Sequence, residues 1–428
     1  MNKMRTLKRS LLAVAVVAAT SQAHAAGFQL NAQSATGIGR AFAGDAVIAD
    51  NASSMARNPA TMALFDKTSL SLGFETIITD ISVSNGSGTT SVNGTTIATT
   101  DYQDYDDVGG TAFAPNIHLI VPINEKFAVG VNAYSNFGTS TDFSGSSHYT
   151  NSVYGGETDI KSMNIGLAGS YRLNEQWSFG AGLDVIYGQG TFRRGGTELG
   201  LPAPMQTVDV EDADGWAVGF NVGTVYELDE NNRWGLSYRY SPDIKVSDDK
   251  GQEIELPLPD MAEFSGYHHI KDTDFAVHYS VQWIGWGAFD EIDFHNLSSG
   301  YIQGEYNKQY QWQDGWHFAI GGTWYVTDKV ELRTGYMHDT SAQDELTSIS
   351  VPDSDRNWIS AGASYHFTEN STLDFGITYL IGSDQNVSES TQFPAPLPDG
   401  SVGLGNNTIT ATTRADAILV GLQYSQKF

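Results

Sequence analysis

Apolar and polar residues take turns along this chain, and the last eleven residues show the pattern most plainly. Ile418, Val420, Leu422, Tyr424 and Phe428 share one parity, while Leu419, Gly421, Gln423, Ser425 and Lys427 share the other. A period of two puts each set on one face of a strand. Soluble termini fray, whereas lipid tolerates no open sheet edge, so an aromatic strand in this place suits the closing strand of a transmembrane barrel.

The same period returns about fourteen times, an even number as single-chain bacterial barrels require. Leu70, Leu72, Phe74 and Ile78 mark one apolar face, Phe127, Val129 and Val131 another, and Trp216, Val218, Phe220, Val222 and Tyr226 a third. Aromatics end many of these faces, where an interfacial girdle lies. Short polar turns at Asn124-Glu125, Asn174-Glu175, Asp229 to Asn232, Lys271 to Asp274, Thr327-Asp328 and Thr368 to Asn370 alternate with long Gly-, Ser- and Asp-rich stretches. The long stretches include Ser84 to Asp107, Ser144 to Glu157 and Asp384 to Asn407. Short on one side and long on the other is the outer-membrane pattern. The expected fold is all-β, an antiparallel transmembrane β-barrel over residues 67–428.

Lys3, Arg5, Lys8 and Arg9 precede the apolar run Leu11 to Ala19 and the small-x-small site Ala23-His24-Ala25. That order reads as a signal peptide over 1–25, too short in its apolar part to span as a helix. The chain has no cysteine, which excludes thiolate metal sites and suits passage through an oxidising periplasm. A formal net charge of −27 excludes nucleic acid as a partner. The acids crowd into presumptive loops, as at Asp101, Asp104, Asp106 and Asp107, or Asp209, Glu211, Asp212 and Asp214, without the full spacing of a calcium-binding hand. No cofactor is called for.

Residues 26–66 lack lipid-facing alternation and hold too few large apolar groups for a core of their own. They form either a periplasmic tail or a plug folded back into the lumen. Gly37, Gly39 and Gly44 suit tight turns, and Asn58-Pro59 marks a fixed one.

Ala26-Gly27-Phe28-Gln29-Leu30, Gly37-Ile38-Gly39-Arg40-Ala41, Ile48-Ala49-Asp50 and Arg57-Asn58-Pro59-Ala60 closely resemble the N-terminal hatch of the FadL-type long-chain fatty acid transporters. The resemblance continues through Pro115 to His118, Val121 to Asn124, Ser135-Asn136-Phe137-Gly138, Tyr171 to Asn174, Ser265 to Tyr267, His278 to Ser280 and Ser348 to Gly362. It implies a monomeric barrel of the Gram-negative outer membrane, plugged by a hatch that includes Phe28, Asn58, Pro59 and Ala60. Such a barrel takes up a long-chain fatty acid or similar hydrophobic molecule passively, amid outer membrane lipid and lipopolysaccharide, after insertion by the barrel assembly machinery. Cargo leaves sideways through a gap at a kink in the third strand, at Ser135, Asn136, Phe137 and Gly138. Independently, the amides and glycine there weaken a strand ladder and favour a bulge.

The resemblance also places a carboxylate contact at Arg194, where a guanidinium fork suits the head group. Arg193 is its neighbour, Gln313 stands where a second cation is expected, and Arg356 and Arg239 are reserves. Pairing with an inward carboxylate such as Glu75 or Asp184 is the competing role for a lumen arginine. The loop 192–215 is short and acidic, so capture at the surface is expected to be reduced. Leu199, Leu201, Met205, Leu256 and Leu258 remain for a small apolar patch. Uptake of neutral aromatic hydrocarbons and general porin activity are the alternatives, and no spaced nucleophile motif points to an enzyme.

Overall fold

A computed structural model describes residues 27–428 except 32, 145–152, 196–205 and 398–400. The expected signal peptide and the side chains Leu199, Leu201 and Met205 lie outside the described residues.

Alternation produces one closed antiparallel wall of fourteen strands. In chain order they are β1 Ser69–Val92, β2 Thr111–Pro122, β3 Phe127–Asp142, β4 Glu157–Arg172, β5 Trp177–Gly195, β6 Gln206–Asp229 and β7 Asn232–Tyr240. The circuit continues with β8 Met261–His269, β9 Phe275–Ile284, β10 Gly315–Thr327, β11 Val330–Asp339, β12 Arg356–Thr368, β13 Ser371–Gly382 and β14 Val402–Lys427. β14 pairs with β13 and with β1, as at Ile377–Val420 and Ile78–Ile418, and so leaves no edge. The six short turns read from the sequence join strands at one end of the ring.

The opposite end differs from the sequence reading in three places. Ser84 to Asp107 and Asp384 to Asn407 are largely strand, because β1 runs on to Val92 and pairs with Thr95–Asp101, while Gln385–Pro396 pairs with β14. Thr and Val there favour a pleated strand, and Asn93 (φ 49°) with Gly94 (φ 78°) makes the tight hairpin turn. Likewise β5 reaches Gly195 and β6 begins at Gln206, so Arg193 and Arg194 sit on a strand and not in a loop.

The apolar parity faces outward all round the wall, with Leu167 61 % and Val218 62 % exposed on the isolated chain. Only a hydrocarbon environment makes such a surface stable. The inward parity mixes small and polar residues with large apolar ones such as Ile77, Ile120, Trp358 and Leu419, and the stretch from Phe28 to Leu64 packs against it. That stretch forms two single-turn helices, Ala35–Ile38 and Ser54–Arg57, and a 3-10 turn Pro59–Leu64. Ser34 Oγ caps the first by accepting from the Gly37 amide at 2.9 Å, and Asn58 Oδ1 caps the third by accepting from the Ala60 amide at 3.0 Å.

Glycines on the inner wall let the two backbones meet. A Cβ at Gly335 on β11 would lie 1.9 Å from the Arg40 carbonyl oxygen, and one at Gly180 on β5 would lie 2.3 Å from the Ala60 nitrogen. Ion pairs fix the same contact. Arg57 reaches Glu263 on β8 at 2.6 Å, and within the stretch Arg40 holds Asp45 at 2.7 Å and Asp50 at 2.6 Å. Burial pushes the Asp45 carboxyl up to about 6 in spite of Arg40. Burial opposes the charge on Asp50 as well, but Arg40 and Arg333 outweigh it and hold that carboxyl low.

Candidate functional site: a window in the wall and an aromatic cage

One seam of the ring is incomplete. The β2–β3 ladder runs from Pro122–Ala128 to Ile117–Ala133 and stops, although β2 stays paired with β1 as far as Thr111. The seam closes again beyond it, where the Asp142 amide donates to the Val108 carbonyl at 2.9 Å. Between lies a window bordered by Ala112, Phe113 and Ala114 on one side and Ser135, Phe137 and Gly138 on the other, a cleft of about 550 Å³ including its mouth.

A bulge shapes this border. The β3–β4 register slips between Ser135 and Phe137, so one residue is inserted at Asn136. A one-residue slip exchanges the faces of everything beyond it. Phe137, outward by the parity of Phe127 to Val131, is therefore turned inward and buried, while Gly138 comes opposite the outward-facing Lys161. The free edge of β3 is taken by the N-terminal stretch. The Leu30 amide donates to the Asn136 carbonyl at 2.8 Å, and the Gly138 amide donates to the Phe28 carbonyl at 2.8 Å.

Behind the window the lumen is aromatic. The Phe28 ring sits 4.5 Å from Trp286, 5.4 Å from Phe289, 5.9 Å from Trp312 and 6.1 Å from Phe137, centroid to centroid. This cage merges into a larger apolar cluster with Ile160, Ile186, Phe192, Phe294 and Leu258. Two cations border the cluster. Arg194 is buried, with its guanidinium 3.7 Å above the Phe192 ring, and donates to Thr158 Oγ1 at 2.8 Å and to the carbonyls of Glu157 and Arg193. Lys308, on the hairpin strand Gly304–Gln309, binds Glu389 at 2.6 Å and lies 5.8 Å from the Tyr310 ring. Burial pushes the Tyr310 phenol up, and both cations act on it in the opposite sense.

Several other lumen charges already have partners. Arg356 is fully buried between Asp353 and Asp339, and Arg239 is held by Asp184. Glu75 accepts from Asn116 at 2.8 and 2.9 Å. Among the described residues no group of three or more His, Asp or Glu is placed to hold a metal ion. Asp209 and Glu211 instead engage Arg193.

Residues 16–428 match the family described as outer membrane protein transport protein (OMPP1/FadL/TodX). The chain belongs to this outer membrane transport family. The long-chain fatty acid transport protein of Salmonella typhi is 34 % identical over 91 % of this chain and 95 % of its own. Outer membrane protein P1 of Haemophilus influenzae is 32 % identical over 99 % of this chain and 100 % of its own. Among solved structures, a Pseudomonas aeruginosa FadL homologue superposes with a TM-score of 0.78 at 20 % identity, covering 94 % of this chain and 100 % of that one. The Pseudomonas putida toluene transporter TodX gives 0.65 at 16 %, over 95 % and 100 %. These likenesses concern the barrel fold.

The residues singled out as FadL-like fall in different surroundings. Ser135, Asn136, Phe137 and Gly138 form the kinked border of the window. Phe28 fills the cage, and Asn58, Pro59 and Ala60 are buried against β5 and β6, with Asn58 Nδ2 donating to the carbonyls of Ala46 at 2.8 Å and Thr224 at 3.1 Å. Arg194 borders the apolar cluster. Arg193, beside it, points the other way and is engaged by Glu157, Asp209 and Glu211. Gln313 is exposed, with its amide nearest the carbonyls of Ser341 and Gln343. Sequence reading passed over Lys308, because a lysine in a polar run between Tyr306 and Tyr310 has no local mark of burial.

Proposed function

We propose that this barrel carries long-chain fatty acids passively across the outer membrane and releases them sideways into the bilayer through the β2–β3 window. The observation that carries this is the continuity of an apolar cage, a bulged strand edge and a gap in the ladder, all touched by residues Phe28 to Leu30. A tail gains about 0.8 kcal/mol for each methylene kept out of water, so a dry route that ends in lipid runs downhill without an energy source.

The stretch 26–66 acts as the hatch. Its contacts with the inner wall block a water-filled pore, which argues against a general porin. Phe28 occupies the space a tail would take, so cargo enters the cage by displacing it. Arg194 and Lys308 are the head-group cations, Lys308 standing in for the cation missing at Gln313. Arg193 and Arg356 are poorer candidates because each is held by two or more carboxylates, and Gln313 is exposed, whereas Lys308 has one such partner, Glu389, for a ligand carboxylate to replace. The molecule works as a monomer within outer membrane lipid and lipopolysaccharide, is placed there by the barrel assembly machinery, and leaves its cargo chemically unchanged.

Uptake of oleate by cells lacking their own transporter, paired with single-channel recording of purified protein, tests this. Restored uptake with little steady conductance is expected. Large conductance without uptake would identify a porin, and uptake of toluene but not oleate a hydrocarbon channel.

A further inference from the structure

The window has one charged residue among the described residues that line it. Lys161 stands on β4 directly opposite Gly138 and on the outward parity, with Phe113, Met163 and Tyr187 beside it. Met163 pairs with Tyr187, and Tyr187 packs on Trp216 at 4.7 Å, which marks the aromatic edge of the lipid band. One step further from the membrane centre the outward row is polar, running Gly138, Lys161, Gln189, Asp214. The ammonium therefore stands at head-group depth, on the lipid side of an opening whose other described lining residues are uncharged, above its own apolar stem. Its ion-pair partner is Asp159, two residues along the same face, at 3.4 Å, and both side chains are 28 % exposed. A partner that distant and that wet is readily exchanged for another carboxylate.

We infer that Lys161 is an exit-side receptor for the cargo's anionic head group, a site separate from Arg194 and Lys308 inside the lumen. The inference rests on the sideways route set out under Proposed function. As the tail slides through the window into the outer leaflet, its carboxylate must leave the lumen without crossing hydrocarbon, where a bare charge is costly. Lys161 takes the carboxylate from the rim of the window and gives it up to the head-group layer, with Asp159 closing on the ammonium again afterwards. The site discriminates: a neutral hydrocarbon or an ester gains nothing from it.

The test compares wild type, Lys161→Met and Lys161→Arg in lipopolysaccharide-containing proteoliposomes, measuring initial transfer of oleate and of its methyl ester. Met keeps the apolar stem and removes the charge, and the heat-dependent shift of folded barrels on gels confirms that each variant is folded. Lys161→Met is expected to slow oleate about fivefold, the worth of one partly exposed ion pair. The methyl ester is expected to be unaffected, and Lys161→Arg to recover most of the oleate rate. Equal slowing of both compounds, accompanied by loss of bound lipopolysaccharide in native mass spectra, would assign Lys161 to a lipid phosphate and overturn the proposal. Unchanged oleate transfer in Lys161→Met would overturn it while leaving the sideways route standing. A wild type that moves neither compound would overturn the transport function itself, and this role with it.

Discussion

The amide of Gly138 donates to the carbonyl of Phe28 at 2.8 Å, so the strand that borders the window is hydrogen-bonded to the segment that fills the cage. Whatever dislodges Phe28 frees this edge. Phe28→Ala is expected to release both together. Losing a buried aromatic costs about 3–5 kcal/mol, and amide exchange at Leu30 and Gly138 should quicken in parallel. If Gly138 stays protected while Leu30 exchanges, the two are not coupled.

Gly335 tests how closely the N-terminal stretch is seated. A methyl group there would meet the Arg40 carbonyl oxygen at 1.9 Å, backbone against backbone. Gly335→Ala should destabilise the seating by about 1–3 kcal/mol, as overpacking does elsewhere. Planar-bilayer recording should then show leak events that wild type lacks.

Arg57 and Glu263 form a buried pair at 2.6 Å between the stretch and β8. Removing one partner strands the other charge, at a cost of about 3–5 kcal/mol, whereas removing both is far milder. Arg57→Met and Glu263→Gln singly should lower the unfolding midpoint in denaturant more than the double variant does. Additive losses would mean that the pair does not act as a unit.

Arg40 faces two carboxylates, and burial leaves Asp45 with its carboxyl raised to about 6 from an ordinary 3.8. A raised folded value means the stabilising proton is fully bound below about 3.8 and is lost as pH rises through about 6. Amide protection around Ala43 to Val47 should therefore decline across that window, and Asp45→Asn should flatten the profile. A rise in protection with pH would reverse the sign.

The apolar outer face of the wall was legible, because lipid enforces the period of two wherever a strand crosses. The turns followed, since short polar breaks interrupt that period at one end only. Beyond the lipid band nothing enforces the alternation, which is why Ser84 to Val92 and Gln385 to Pro396 read as loops though they are paired strands. The kink was visible as amides and a glycine in β3, but not its consequence, since turning Phe137 inward depends on the register with β4. Lys308 and Lys161 were illegible for a similar reason. Their surroundings come from Glu389, distant in the chain, and from Gly138, across a ladder.

The window itself can be shut. The chain has no cysteine, so Ala114→Cys with Asn136→Cys gives a single thiol pair, one thiol on each side of the unpaired β2–β3 seam just beyond Ile117–Ala133, for a reducible bifunctional thiol reagent to join across the opening. Oleate uptake should fall to background when that pair is cross-linked and return when the linker is reduced, in the same cells. Full uptake through the cross-linked barrel would contradict release through the wall.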